Sequence, residues 1–148
     1  MKKNLILAIG ILSLVVAAIG WAIYADPERH DKLLFKQALR QFASQSQVWE
    51  AQFTSESKLP QVNQTLTLNY LDRANVDATM SVKISTRGNR VVMQFGDGDT
   101  LLAQQTVALV PKQVKGQVVW QCLEGSLLIR VRSKNCRLGK GFTRNQLL

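Results

Sequence analysis

The chain is expected to fold as an α+β protein: one long N-terminal helix, apolar in its first half and amphipathic in its second, packed on an antiparallel β-sheet. Three observations predict this. Residues 5–25 contain no Asp, Glu, Lys, Arg or His; apolar residues recur at three- and four-residue steps from Leu34 to Phe53; and from Gln64 apolar and polar residues alternate one by one. A length of 148 residues fits one domain and excludes a large multidomain enzyme. Nineteen Lys and Arg against ten Asp and Glu give a net charge of +9, while 46% hydrophobic and 20% charged residues are ordinary for a globular chain. The expected organisation is an N-terminal transmembrane anchor over residues 1–25 and a folded head over residues 26–148.

The block Leu5–Ala25 has 21 residues, eleven of them Leu, Ile or Val. At 1.5 Å per residue it reaches about 30 Å, the thickness of a bilayer's hydrocarbon core. Lys2 and Lys3 hold the cytoplasmic side, Trp21 and Tyr24 sit at headgroup depth on the far side, and Asp26, Pro27 and Glu28 mark the exit into water. A cleaved secretory signal would share the basic start and the apolar run, with Ala25 as the cleavage position. The block exceeds the roughly 7–15 apolar residues of such a signal, and Ile23 and Tyr24 are bulky for a cleavage motif, so a retained anchor is favoured. Either way the head is expected outside the cytoplasm.

Asp26-Pro27-Glu28 also has the chemistry of a helix start: an N-cap, a proline in the first helical position and an acid in the first turn. Leu34, Phe35, Ala38, Leu39, Phe42, Trp49 and Phe53 then form one apolar stripe, with Phe35, Phe42 and Trp49 seven residues apart. Arg29, Lys32, Lys36, Arg40 and Glu50 occupy the other faces, and the pattern decays near Ser55, before Leu59-Pro60.

Strands are expected at Thr65–Tyr70, Thr79–Ser85 and Val91–Phe95, the last two joined at Arg87-Gly88-Asn89. Gly96-Asp97-Gly98-Asp99 ends the third; a hairpin turn accounts for it better than a calcium loop, whose ligand spacing it lacks. Thr106–Pro111 and Gln117–Cys122 form a further pair joined near Gly116, and Leu127–Arg132 is the last strand candidate. An antiparallel sheet of this kind has one apolar face, which the aromatic stripe of the helix can cover.

Cys122 and Cys136 lie in the exported part, where a disulfide can form, and closing a loop of about 15 residues stabilises by roughly 3 kcal/mol in the chain-entropy model. No Cys-x-x-Cys or zinc-ligand spacing competes with that structural role. After Glu124 there is no acid, while Arg130, Arg132, Lys134, Arg137, Lys140 and Arg144 supply six positive charges. On a strand, Arg130 and Arg132 would project from one face, with Lys134 continuing the row toward DNA or another anionic surface. Simple solubility, or contact with anionic lipid, accounts for the same charges, and only Phe142 interleaves them as a stacking residue. His30 has no nucleophile or paired acid in an activating pattern and is expected to be solvated or at headgroup level. Asn63-Gln64-Thr65 fits the N-glycosylation pattern, which three-residue coincidence also produces. Nothing in the spacing points to a catalytic constellation, a metal, a cofactor or a small-molecule substrate.

The C-terminal half carries a family resemblance. Thr106-Val-Ala-Leu-Val-Pro111, Gly116-Gln-Val-Val-Trp120-Gln-Cys122 and Asn135-Cys136-Arg137 resemble the end of the type IV pilin head, across about 32 residues, and the long helix followed by a sheet resembles that family over nearly the whole chain. The resemblance implies a lollipop-shaped, non-enzymatic subunit of a fimbrium or related system, active in cell adhesion. It implies partners among pilin subunits or pilus assembly proteins, and a place in the bacterial inner membrane with a periplasmic head or in a cell-surface pilus. It also implies an exposed loop bounded by Cys122 and Cys136, and matches Pro27 to the helix proline of pilins.

The N-terminus departs from the pattern. Lys2-Lys3-Asn4 runs directly into Leu5, with no glycine-phenylalanine junction and no glutamate in the apolar stretch; Lys140-Gly141-Phe142-Thr143 spells that junction only at the far end of the chain, where no apolar helix follows. Three expectations follow: a structural or adhesive pilus subunit, an unprocessed accessory or regulator of pilus assembly retained in the inner membrane, or a DNA-binding pilin-like protein using the basic C-terminal tail.

Overall fold

The computed structural model describes residues 27–148 apart from 73, 75 and 128–130. The apolar stretch 5–25 and the capping Asp26 lie outside the described residues, and among the described residues no helix is long and apolar enough to cross a membrane. Helix α1 (Pro27–Glu56) starts at the expected proline, with Glu28 in its first turn. Proline suits that position because its missing N–H is one that a first helical turn leaves unpaired anyway. The helix stops where the apolar spacing runs out: Ser57 adopts a left-handed φ of 55° and donates its N–H to the Phe53 carbonyl at 2.9 Å.

Five strands follow: β1 (Asn63–Leu71), β2 (Asp77–Arg87), β3 (Arg90–Phe95), β4 (Thr106–Val114) and β5 (Gln117–Glu124). They pair in chain order, each antiparallel to the next. The alternation in the sequence maps directly onto the two faces of this sheet. Leu66, Leu68, Met80, Val82, Ile84, Val91, Met93 and Phe95 are buried, while the intervening Thr65, Thr67, Lys83 and Gln94 are exposed. Pro111 is tolerated inside β4 because it lies beyond Leu109, the last residue of that strand paired with β3, and opposes Trp120 of β5, whose own backbone groups point away from β4.

The aromatic stripe of α1 closes the apolar face. Phe35 packs on Phe95 with ring centroids 6.2 Å apart, and Phe42 meets Trp120 edge to face at 4.9 Å and Trp49 at 5.5 Å. Phe35, Phe42 and Trp120 are fully buried, and Phe53 is partly buried at the end of the stripe. Each such side chain contributes about 1.5–3 kcal/mol by leaving water.

Both outer edges of the sheet are covered. Along β1, Gln37 and Gln41, one helical turn apart, donate their side-chain amides to the Asn69 and Thr67 carbonyls, and Gln45 on the next turn pairs with Gln64. At β5, Trp120 and Phe142 exchange two backbone hydrogen bonds of 2.8 and 3.0 Å. The segment Lys140–Thr143 therefore works as an edge cover. Gly141 permits the approach: its φ is +70°, and a Cβ there would lie 2.5 Å from the Trp120 carbonyl oxygen.

Two expectations are corrected. No strand forms over the described part of Leu127–Arg132: Leu127, Val131 and Arg132 lie in turns and bends, followed by a short helix α2 (Lys134–Arg137) and a 3-10 turn (Arg144–Gln146). The β5 edge is taken by Phe142. The chain instead turns at Gly125 (φ +125°), whose missing Cβ would fall 2.2 Å from the Thr106 carbonyl oxygen, so that Leu127 and Val131 both point into the core. The segment after β3 does end the strand at Gly96, yet it is a ten-residue loop to β4 rather than a tight turn. Its Leu101 N–H is held by the buried Asp31 carboxylate of α1 at 3.3 Å.

Candidate functional site

The two cysteines predicted to pair do so. Cys122 on β5 and Cys136 on α2 form a disulfide across 14 residues, with Cα atoms 4.9 Å apart and both side chains buried. Ser133 starts α2, its hydroxyl accepting the Cys136 N–H. The bond thus anchors the segment after β5 to the sheet.

Among the C-terminal cations whose side chains are described, Arg132, Lys134, Lys140 and Arg144, no row along a strand face forms. Arg130 lies outside the described residues. Arg132 turns inward, donating Nε to the Leu127 carbonyl at 3.0 Å and a terminal nitrogen to the Gly125 carbonyl at 3.1 Å. Burial lowers its pKa from the ordinary arginine value, because desolvation disfavours the charged form. Arginine nevertheless stays protonated at any physiological pH, so the guanidinium serves as a fixed clamp on two carbonyls. Lys134 and Arg137 belong to α2 rather than to a strand, Lys134 and Lys140 are exposed, and Arg144 is drawn back toward α1.

Arg144 belongs to a network absent from the sequence-based expectations. Its Nη1 donates to Gln47 Oε1 at 3.0 Å, and its buried Nε lies 3.8 Å from Glu50 Oε2. The other oxygen of Glu50 accepts the Trp120 indole N–H at 2.8 Å and the Ser46 hydroxyl at 3.1 Å. One carboxylate therefore ties α1 to β5 and to the C-terminal turn. The network opens onto a polar cleft of about 650 Å³ between α1, the β4–β5 turn and the C-terminal turn, lined by Gln47, Glu50, Thr54, Gln117, Thr143 and Arg144 among others. The sequence pattern places Glu50 off the apolar stripe of the helix. The legible signal was Trp120, an indole whose N–H needs a partner once the ring is buried. Glu50→Ala is expected to destabilise the fold by about 1–3 kcal/mol, because it leaves that N–H without an acceptor. A red-shifted tryptophan emission would accompany the loss, and Glu50→Gln, which keeps an acceptor oxygen, would restore most of the stability in a denaturant titration.

His30 is half-exposed rather than fully solvated: its ring stacks at a tilt on Tyr70, 5.7 Å away, and Nδ1 lies 3.8 Å from the Asp31 carboxylate. Asp97, in the loop after β3, accepts from the Gln104 amide at 2.9 Å. Among the described residues no three His, Cys, Asp or Glu side chains are grouped to hold a metal. No family model, curated protein or solved structure matches the chain.

Proposed function

We propose that the chain is a membrane-anchored, pilin-like component of a type IV pilus or related system, a non-enzymatic structural or adhesive subunit whose head stands outside the cytoplasm on the span 1–25. The observation that carries this reading is the arrangement of the resembling segments. The segments Thr106–Pro111 and Gly116–Cys122 fall in the adjacent strands β4 and β5 and the turn between them, the second cysteine closes onto β5, and the long helix covers the same sheet face. An oxidised bond between Cys122 and Cys136 fits an exported head.

The N-terminal sequence favours a second role for the same fold. Without a glycine-phenylalanine junction or an acid in the apolar stretch, the chain fits an unprocessed accessory protein that meets pilins or the assembly machinery from the inner membrane. Fractionation separates the two. A structural subunit is expected in sheared, purified fibres. Retention in the inner membrane, with altered piliation on deletion, overturns the subunit role in favour of the accessory one; absence from both, with no change in piliation, overturns both. Intact mass of the extracted protein is expected to be that of the full chain, and loss of about 25 residues would replace the anchor with a cleaved signal.

A further inference from the structure

The cover on the β5 edge is a single residue pair long. Trp120 turns its backbone N–H and C=O away from β4, toward Phe142, and in an antiparallel ladder residues two apart share that orientation. Val118, opposite Gln113 of β4, therefore aims its own N–H and C=O at the same outer edge. Continued by two residues, the pairing of Trp120 with Phe142 would set Arg144 opposite Val118. The chain instead leaves the extended path after Thr143 and coils into the 3-10 turn Arg144–Gln146. Among the described residues no group bonds to the Val118 N–H or C=O.

Val118 is nonetheless only 8% exposed, and it lines the cleft of about 650 Å³ beside Glu50, a volume in the range of small-ligand sites. Backbone groups so placed call for a partner that carries its own N–H and C=O. The walls suit the end of a peptide. Arg144 gives Nη1 to Gln47 and holds Nε near Glu50, and its second terminal nitrogen bonds to nothing among the described residues, which leaves a charged donor for a carboxylate. Glu50, the one acid of the lining, is engaged by Trp120, Ser46 and Arg144, so its charge is met within the protein. Gln117 and Asn145 add exposed amides, and among the described residues that line the cleft there is no aromatic ring on which a base could stack.

We propose that this cleft takes the carboxyl-terminal end of an extended peptide from a partner protein. One peptide residue adds to β5 in line with Phe142, exchanging two hydrogen bonds with Val118, and the terminal carboxylate docks on Arg144. Strand addition supplies affinity through main-chain bonds, and capture of the carboxylate sets the direction of the peptide. The site lies wholly in the described head, so it stands or falls independently of the fibre and membrane roles proposed above.

The test uses the full nitrogen-15-labelled chain in zwitterionic detergent. The probe is a pool of acetylated tetrapeptides built from Thr, Val, Ser and Gln, each with a free carboxyl terminus. The pool is expected to shift the Val118 amide resonance and to slow its hydrogen exchange several-fold, as a new bond on that N–H requires. The same pool amidated at its C-terminus is expected to bind about tenfold more weakly, the worth of one charge-assisted hydrogen bond. A pool N-methylated along its backbone cannot donate to the Val118 carbonyl and is expected not to bind. Thr54→Trp fills the cleft from α1 and removes binding, and Arg144→Gln brings the acid and amide pools to equal affinity, with melting curves confirming that both variants fold; if either does not, the three pools on the wild type decide alone. An unchanged Val118 resonance and exchange rate with the free-acid pool overturns the proposal, as does an N-methylated pool that binds as well as its parent. Acetate alone reproducing the shifts at Val118 and Arg144 reassigns the cleft to a small anion and also overturns it.

Discussion

Phe42→Ala is expected to cost about 3–5 kcal/mol, the usual loss for deleting a buried phenyl ring. The ring is fully buried between α1 and β5, edge-on to Trp120 and 5.5 Å from Trp49. Truncation removes the apolar transfer term and two aromatic contacts, and leaves a cavity that the rigid sheet cannot collapse to fill. A domain of this size holds only about 5–15 kcal/mol in total, so the variant should unfold at a clearly lower denaturant concentration. Because both neighbours are tryptophans, near-ultraviolet circular dichroism reports the site directly. A variant with unchanged stability and unchanged tryptophan signal would mean that α1 does not seat on the sheet through this residue.

Replacing Cys122 and Cys136 together with Ala is expected to cost about 3 kcal/mol, from the chain entropy that the 14-residue separation otherwise restricts in the unfolded state. The effect should localise. The segment after β5 is held by the disulfide, by the Arg132 clamp on Gly125 and Leu127, and by the Phe142 bridge to Trp120. Without the disulfide, amide exchange should rise first in residues 125–148, while β1–β3 keep their protection. Reduction of the wild type should reproduce the variant. Equal melting temperatures with and without reductant would show that the remaining clamps hold the segment unaided.

How much was legible in advance follows from the range of each signal. The apolar stripe of α1 and the alternation in β1 to β3 are set by neighbours two to four residues away, and both were read within a residue or two of their observed limits. The strand expected over Leu127–Arg132 is absent at its described residues, because a brief stretch of Leu, Ile and Val has the same composition in a strand and in other buried segments. The decision between them came from Phe142, which occupies the edge that such a strand would need. Charge was misjudged for a related reason. Closeness in sequence makes the tail cations look like one surface, whereas the chain folds Arg132 and Arg144 inward.

By itself, then, the sequence determined the order of helix and strands, the face each presents to the core, and the two cysteines available to pair, because side-chain period and backbone preference act locally. Only the tertiary structure decided that Glu50 would meet Trp120 across 70 residues and that Arg144 would reach Gln47 across 97. Those pairings exist only once the sheet has closed on the helix, since nothing in the local chain specifies which distant group will fill a buried vacancy.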